Sequence, residues 1–560
     1  MTIIIVLLAL VIGAIGFIVV AARRMQGQTL TGQMFRRAFQ YALLYVLLIV
    51  AANGLIDLLG RLFGSTPAFD DDFVLAQSIT AVVIAVPLIG LLGWWIYRTH
   101  RHDPAERESL LYQAYLTAAA LTGAGMTAIQ LQQSLTTAFG TQTFDDEAVA
   151  GVIIWAAVWG IHWRTMQRTL KPANALTHLL LGATIGLVLA SGGMTSLLAT
   201  SLELLGGHQI LAGPFVALGS AAGTFISGAL LWVMYWLLSA CRLPRGTAWH
   251  TYVLLLGVAG GLITGLVGAQ VLLWRGLVQL IGDPGPFVTW FDWHEALAAL
   301  LVGAMVWWYH RQILDRTMYT PVRRIYQYLV AGIGVIATAA GIGLLLIALL
   351  DAITPATLFH NPINTLIGAL TLLVIAIPLW WSHWAAAQRS AQDDPAVELA
   401  AVPRRIYLIV LVGASSVAGV LALISAVATI IHDAMQNQLN LTTLYEVRTE
   451  IGYLAASMAI IGYHVAIMRQ DQHDAPTKIA PQVQHGTLTL IGPAAPVLVS
   501  TVAGQLNGPV RLLIADTASR WDMDALQYEL ETRDPTVDAV IIAREHGVET
   551  YATQELRHVQ

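Results

Sequence analysis

Apolar runs long enough to cross a lipid bilayer recur along this chain from one end to the other. A transmembrane helix needs about 20 consecutive, mainly apolar residues. Hydrophobic residues fill 56% of the 560 positions and charged residues only 11%, whereas a soluble domain carries roughly 25% charge. Such a chain cannot cover a surface that faces water. Because the runs are continuous rather than alternating, a β-barrel is excluded, and the sequence predicts an all-α polytopic membrane protein.

Thirteen of these runs are candidate transmembrane helices. They cover residues 3–21, 39–63, 74–97, 110–138, 147–167, 176–205, 213–240, 249–281, 291–312, 325–352, 363–385, 405–433 and 447–468. The first run begins without basic residues and lacks a clear small-residue cleavage site, so we expect an uncleaved anchor helix rather than a signal peptide.

The loops between the runs alternate in charge. One set carries most of the arginines, for example Arg98, Arg164 and Arg311, and the other set carries acidic residues such as Asp145 and Asp283. Positively charged loops stay in the cytoplasm. The pattern therefore predicts a multi-pass protein of the bacterial cytoplasmic (inner) membrane, with its N-terminus outside and its C-terminal tail in the cytoplasm.

A short motif, Trp-x-x-His or Trp-x-x-Tyr, ends each run that returns to the arginine-rich side. Its copies start at Trp94, Trp159, Trp232, Trp307 and Trp380, and a degenerate sixth copy has Ile461 before His464. A second motif, Arg-Arg-x-Tyr, follows the arginine-rich loops at Arg323–Tyr326 and Arg404–Tyr407, with a weaker form at Arg36–Phe39. Together the motifs predict one anchor helix and six parallel helical-hairpin repeats.

Small residues lie near the middle of the first helix of most hairpins. Examples are Gly123 with Gly125, Gly192 with Gly193, and Gly261. Small residues let two helix backbones approach closely in lipid. We expect the helices to cross tightly at these positions.

Repeated two-helix units with these two motifs resemble an uncharacterised bacterial membrane domain, known as a domain of unknown function. The resemblance covers about residues 36–468 in tandem copies. It is clearest at Trp307–His310 with Arg323–Tyr326, and at Trp380–His383 with Arg404–Tyr407. The family has no known activity, so the resemblance implies an architecture and no chemistry.

The composition changes after residue 468. Residues 1–35 are expected to form the anchor helix and a basic loop, 36–468 the hairpins, 469–484 a polar linker, and 485–560 a small cytoplasmic α/β domain. In the last segment GTLTLIG, PVRLLIAD and VDAVIIARE predict strands, with a helix capped by Thr517 or Ser519 between the last two. Asp516 is interpreted as a loop or capping residue. No glycine-rich phosphate loop follows the first strand, so nucleotide binding has no support.

Four motif histidines are candidate ligands for haem or a pigment, namely His162, His310, His383 and His464. A buried imidazole is a good axial ligand. However, each lies at a helix end beside tryptophans and arginines, where an interfacial aromatic belt forms, and tyrosine replaces histidine in two motif copies. We therefore favour packing within a belt and predict no cofactor. The single cysteine, Cys241, excludes cysteine-based metal sites.

Asp57, Arg61 and Gln130 are the candidate residues for transport. An intramembrane carboxylate suggests a functional site, but Arg61 lies one helical turn from Asp57 and can neutralise it. Gln130 can instead hydrogen-bond between helices. No chain of carboxylates crosses the predicted bundle, which argues against a pump.

The leading functional prediction is a non-enzymatic scaffold or accessory subunit of a membrane complex, with a protein partner bound through residues 485–560. One alternative is a transporter or channel for a small solute. The other is a haem- or pigment-binding electron-transfer protein. Metal-ligand and nucleic-acid-binding motifs are not found in the sequence.

Overall fold

The computed structural model describes most of the chain, chiefly as long helices. The described residues are 32–64, 72–103, 106–139, 144–169, 172–205, 214–283, 293–315, 320–354, 361–474, 487–495, 498–499, 501–502, 510–515, 521–532, 538–544 and 547–552. The predicted anchor helix, the predicted caps Thr517 and Ser519, and Asp516 lie outside these residues.

Twelve long helices follow one another in the described chain, and each falls on a predicted apolar run. They are α1 (Gly32–Phe63), α2 (Asp72–His102), α3 (Leu110–Ala138), α4 (Asp146–Thr169), α5 (Pro172–Leu205), α6 (Pro214–Trp232), α7 (Thr247–Ile281), α8 (Trp293–Asp315), α9 (Thr320–Ile353), α10 (Pro362–Asp393), α11 (Val402–Met435) and α12 (Arg448–Asp474). Within the described residues, nine of them, all but α3, α4 and α8, are long and apolar enough to cross a bilayer. The chain is a multi-pass helical membrane protein.

Consecutive helices pack as pairs, which we number as hairpins 1 to 6 from α1–α2 to α11–α12. Polar side chains join neighbouring hairpins. Gln132 Nε2 donates to Ser220 Oγ at 3.2 Å between hairpins 2 and 3, and Gln270 Nε2 donates to the Gly368 carbonyl at 2.9 Å between hairpins 4 and 5. Such bonds between helices are the common use of amide side chains in membranes.

Glycines bring the two helices of a hairpin into backbone contact. A Cβ atom on Gly193 of α5 would lie 2.4 Å from the backbone nitrogen of Phe225. A Cβ atom on Gly268 of α7 would lie 2.4 Å from the nitrogen of Leu300. At Gly193 the predicted small residue thus allows a close backbone approach, here between the two helices of one hairpin. Gly192 and Gly125 face the other way, and no described atom lies within 4 Å of a Cβ built on either.

Two helices contain π-helical segments, where one extra residue per turn is accommodated. Residues Val233–Leu237 continue α6, and Tyr252–Gly260 form part of α7. Both segments include a tyrosine at the arginine-rich end of the bundle. α12 continues to Asp474, so the first residues of the predicted linker, 469–474, are helical.

Contacts divide the chain into two compact units, with residues 390–401 and 467 onward forming the second. The second unit contains a sheet of β1 (Leu488–Gly492), β2 (Val510–Ile514), β3 (Ala539–Arg544) and β4 (Gly547–Ala552), with α13 (Met523–Thr532) before β3. The order is β2-β1-β3-β4, with β1 parallel to β2 and β3, and β4 antiparallel to β3. The three predicted strands and the helix are confirmed, and β4 was not predicted.

Buried aliphatic side chains hold this small domain together. Leu488 and Leu490 of β1 are 0% exposed and contact Ile541 of β3 and Leu526 of α13. Asp522 begins α13, since its carboxylate accepts hydrogen bonds from the next turn. Asp522 therefore caps the helix, a role that the sequence analysis had assigned to Thr517 or Ser519.

Candidate functional site

Each of the six hairpins places one tyrosine ring and one histidine ring against each other, across its two helices. In three hairpins the hydroxyl and Nε2 share a hydrogen bond: Tyr41–His100 at 3.4 Å, Tyr115–His162 at 3.0 Å and Tyr407–His464 at 3.2 Å. In the other three hairpins the two rings pack against each other, with centroid distances of 5.3 Å for His178–Tyr235, 6.1 Å for Tyr252–His310 and 5.9 Å for Tyr326–His383. We call these the Tyr–His pairs.

The backbone fixes the direction of the hydrogen bond in a pair. His162 Nδ1 lies 2.8 Å from the carbonyl oxygen of Val158. A carbonyl can only accept, so Nδ1 carries the proton, and Nε2 of a neutral ring accepts from the Tyr115 hydroxyl. His464 repeats this arrangement with the carbonyl of Ile460 at 2.8 Å. Both ring nitrogens of these two histidines therefore make hydrogen bonds within the protein.

The other two predicted ligands use Nδ1 in the same way. His310 Nδ1 donates to the carbonyl of Val306 at 2.8 Å, and His383 Nδ1 to that of Leu379 at 3.0 Å. His310 is 0% exposed, and in the described part of the chain its Nε2 has no hydrogen-bond partner. The four predicted histidines lie in four different hairpins, and each contacts a tyrosine of its own hairpin.

Within the described residues, tryptophans join hairpin 2 to 3, hairpin 3 to 4 and hairpin 5 to 6. Trp159 Nε1 of hairpin 2 donates to Tyr235 in hairpin 3 at 3.0 Å. Three further bonds of this kind lie within the described residues: Trp232 to Tyr252 at 3.2 Å and Trp236 to Tyr309 at 3.0 Å, both from hairpin 3 to 4, and Trp384 to Tyr463 at 2.6 Å from hairpin 5 to 6. Two of these tryptophans, Trp159 and Trp232, belong to the repeated motif, whereas Trp236 and Trp384 lie four residues after a motif tryptophan. We call the Tyr–His pairs and these tryptophans the aromatic belt.

In two hairpins the histidine of the Tyr–His pair lies outside the Trp-x-x-His motif. In hairpin 1 the histidine is His100, three residues after Tyr97, and the Trp94 side chain is 57% exposed. In hairpin 3 the residue types are exchanged, with His178 on the first helix and Tyr235 on the second. Tyrosine does replace histidine in these two motif copies, but a histidine from elsewhere in each hairpin, His100 or His178, completes the Tyr–His pair.

A glycine on the first helix makes room for the motif tryptophan of hairpins 2 to 5. The distances from a Cβ built on the glycine to the tryptophan backbone nitrogen are 2.9 Å for Gly123 and Trp159, 2.4 Å for Gly186 and Trp232, 2.5 Å for Gly261 and Trp307, and 2.7 Å for Gly334 and Trp380. In hairpins 2, 3 and 5 the glycine follows the pair residue of the first helix by eight positions. In hairpin 4 it follows Tyr252 by nine, and the π-helical segment takes up the extra residue. This spacing is visible in the sequence, but the sequence analysis missed it.

The Arg-Arg motif of hairpin 1 clamps a buried glutamate. Arg36 Nη2 and Arg37 Nε each lie 2.7 Å from a carboxylate oxygen of Glu106, which is 5% exposed. Burial alone would raise the pKa of Glu106, but the hydrogen bonds and charges of Arg37 and Arg36 outweigh it and hold the pKa below its usual range. In hairpin 6 the matching Arg404 is 1% exposed and donates to Gln388 at 2.9 Å. In hairpin 1 the motif therefore binds α1 to the loop after α2, and in hairpin 6 it binds α11 to α10.

We expect Glu106→Gln to lower the free energy of unfolding by about 2 kcal/mol at neutral pH, because two charge-assisted hydrogen bonds lose their anionic acceptor. The loss is not larger because Arg36 is partly exposed and its charge is screened by solvent. The pKa of Glu106 is depressed in the folded state. Its stabilisation is therefore present above the pKa of the unfolded chain and is lost as the pH falls through the folded-state pKa. Unfolding midpoints at pH 7 and at successively lower pH should show the difference between wild type and variant shrinking. An equal difference throughout would contradict this, and Glu108→Gln at an exposed position is the control.

The structure brings the three predicted transport residues to the start of α4. Asp57 Oδ2 lies 3.0 Å from Arg61 Nε, and both side chains are 19% exposed. A Cβ on Gly60 would lie 3.3 Å from Glu147 of α4. One turn further along α4, a Cβ on Gly151 would lie 2.7 Å from the side chain of Gln130. The ion pair is neutralised locally, as expected, and Gln130 packs on the helix backbone.

The sequence analysis also did not predict an ion pair between α9 and α12. Arg448 Nε at the start of α12 lies 2.7 Å from Asp351 Oδ1 near the end of α9. The Asp351 side chain is 3% exposed and that of Arg448 is 12% exposed. Asp351 and Arg448 are far apart in sequence, and a single charge at a helix end does not indicate which residue it pairs with.

Comparison with known proteins identifies two parts of the chain. A family model described as Domain of unknown function (DUF5671) matches residues 37–160 and 324–463, which correspond to α1–α4 and α9–α12. The matched unit is thus two hairpins. No curated protein and no solved structure matches the chain. Residues 37–160 (copy 1) and 324–463 (copy 2) therefore match an uncharacterised domain family in tandem copies, as the motif resemblance had indicated.

Proposed function

We propose that this chain is a non-enzymatic scaffold of the bacterial cytoplasmic membrane, whose α/β domain binds a protein partner in the cytoplasm. The observation that carries the proposal is the aromatic belt. Three of its Tyr–His pairs hydrogen-bond within a hairpin, and its four tryptophans hydrogen-bond between hairpins. Those groups are the ones that a cofactor site or a polar pathway would otherwise need.

The belt supports a scaffold because it links hairpins at one level of the bundle. Each hydrogen bond contributes about 1 kcal/mol, and aromatic pairs add about 0.5–1.5 kcal/mol each. Tryptophan and tyrosine also fix the depth of a helix end at the membrane interface. Hairpins tied in this way keep constant spacing at the arginine-rich end, which we place in the cytoplasm.

The edge strand β2 is the surface that we propose for the partner. Leu513 is 55% exposed and Ile514 is 71% exposed, and β1 pairs with only one side of this strand. An exposed, apolar edge strand is suited to pairing with an added strand of another protein. A contact of this kind would leave the membrane helices unchanged.

The test compares the full chain with Ile514→Asp, purified in mild detergent. We expect a colourless wild-type sample with a stoichiometric partner, and loss of that partner in Ile514→Asp. Tyr528→Asp is the matched control, since Tyr528 is 66% exposed on α13 and the partner should be retained.

Two results would overturn the proposal. A visible haem or pigment band that disappears in His310→Ala or His383→Ala would make this an electron-transfer protein. A colourless sample without any partner, combined with solute uptake by vesicles that contain the chain, would make it a transporter.

A further inference from the structure

A cavity of about 580 Å³ lies at the acidic end of hairpins 5 and 6. Helices α9, α10 and α12 line it, and Trp274 of α7 closes one side. The buried ion pair of Asp351 and Arg448 is part of its wall. The cavity is therefore lined by membrane helices and has two opposite charges in its wall.

Polar atoms of this ion pair remain available to hydrogen-bond a ligand. Arg448 Nε lies 2.7 Å from Asp351 Oδ1, but within the described residues neither Asp351 carboxylate oxygen nor Arg448 Nε makes a well-formed hydrogen bond. Arg448 is held by Tyr445, whose ring centroid is 3.5 Å from the guanidinium carbon and whose carbonyl accepts from Nη1. Buried charges in a membrane are costly, and they are typical of ligand sites.

The cavity is polar at one end and apolar along its length. Asp351 and Ala340 lie on the same face of α9, eleven residues or about 16 Å apart. Between them the wall is Ile347 and Leu344. Tyr453 of α12 also lines the cavity and is 60% exposed, so the cavity reaches the outer surface of the helices, where lipid lies. This shape fits an amphiphile with its head at the ion pair.

We propose that the cavity binds one phospholipid whose head carries both an ammonium and a phosphate group. The ammonium lies beside Asp351 and the phosphate beside Arg448, with the upper acyl chain along Ile347 and Leu344. The two protein charges cancel, so a zwitterionic head satisfies both. An anionic head satisfies Arg448 but meets the Asp351 carboxylate with the same sign of charge.

Copy 1 of the family domain provides an internal control. Its first and fourth helices, α1 and α4, also carry charges at this end, but Arg61 pairs with Asp57 one turn away on the same helix. Gly60 packs directly on Glu147 there. Removing the Asp57 charge alters an ion pair without changing the lipid cavity.

The experiment is native mass spectrometry of the full chain in a neutral detergent, titrated with phosphatidylethanolamine or phosphatidylglycerol. We expect one phosphatidylethanolamine to bind at least tenfold more tightly than phosphatidylglycerol. Asp351→Asn and Arg448→Gln should each weaken this binding at least tenfold, while Asp57→Asn should not change it. Gel filtration checks that each variant is folded.

Two further variants keep the test decisive if the charge variants misfold. Arg448→Lys retains the charge and should bind within a few-fold of wild type. Ile347→Trp fills the apolar part of the cavity, leaves the ion pair in place, and should weaken binding at least tenfold. Equal binding by wild type and Ile347→Trp, or tighter binding of phosphatidylglycerol, would overturn the proposal. Displacement by soluble phosphoethanolamine would also overturn it, because the free head group would then be the ligand.

Discussion

Trp384→Ala is expected to lower the free energy of unfolding of the full chain by about 3 kcal/mol, since burial of a whole indole is lost. Trp384 is 0% exposed. Its ring stacks on Tyr407 at 5.1 Å, its Nε1 donates to Tyr463 at 2.6 Å, and the Arg404 guanidinium lies 5.5 Å from its centroid. Thermal unfolding followed by circular dichroism in mild detergent measures the change.

The neighbouring tryptophan is the matched control for this prediction. Trp381 lies on the same helix but is 59% exposed, so Trp381→Ala should change the unfolding free energy by less than about 1 kcal/mol. Trp384→Phe keeps an aromatic ring and loses the N–H group, and it should cost about 1 kcal/mol. Equal losses for Trp381→Ala and Trp384→Ala would show that the belt does not hold hairpins 5 and 6 together.

Gly186→Val is expected to destabilise hairpin 3 by about 3 kcal/mol or more, because the new side chain meets backbone that cannot rotate away. A Cβ atom at this position would lie 2.4 Å from the nitrogen and 2.7 Å from the Cα of Trp232. Helices α5 and α6 must then separate. This would also weaken the bond from Trp232 to Tyr252 in hairpin 4.

Gly192→Val is the control, since no described atom lies within 4 Å of a Cβ at Gly192 on the same helix. Valine and glycine have similar helix propensity within a few tenths of a kcal/mol, so this variant should unfold at nearly the wild-type temperature. Melting curves in one detergent compare the two. If both variants melted alike, backbone contact at Gly186 would not be what holds α5 to α6.

The helices could be predicted from sequence because their apolar runs end at local signals. Runs bounded by arginines on one side and aspartates on the other give helix positions within a few residues, as α3 and α7 show. The strands β1 and β3 of the second unit were predictable because their sequences are short, strongly apolar runs. β4 was missed because its sequence, GVETYA, has few apolar residues, and its place depends on pairing with β3.

The partners within the belt could not be predicted, because each depends on two helices. The sequence marks Arg-Arg-x-Tyr and Trp-x-x-His as separate motifs, and only packing shows that Tyr407 meets His464. The exchange of His178 and Tyr235 hides one pair from any search for a fixed motif. Asp351 and Arg448 were not connected for a similar reason, since each alone is an ordinary charge at a helix end.

The π-helical segment of α7 explains how hairpin 4 tolerates an additional residue. One residue inserted into an α-helix rotates everything after it by about 100°, which would turn Gly261 and Gly268 away from α8. Because Tyr252–Gly260 widens instead, these glycines still face the backbone of α8. An insertion that would normally break a helix interface has been confined to two turns. A membrane helix of this protein can therefore contain one more residue and still present the same face to its partner helix.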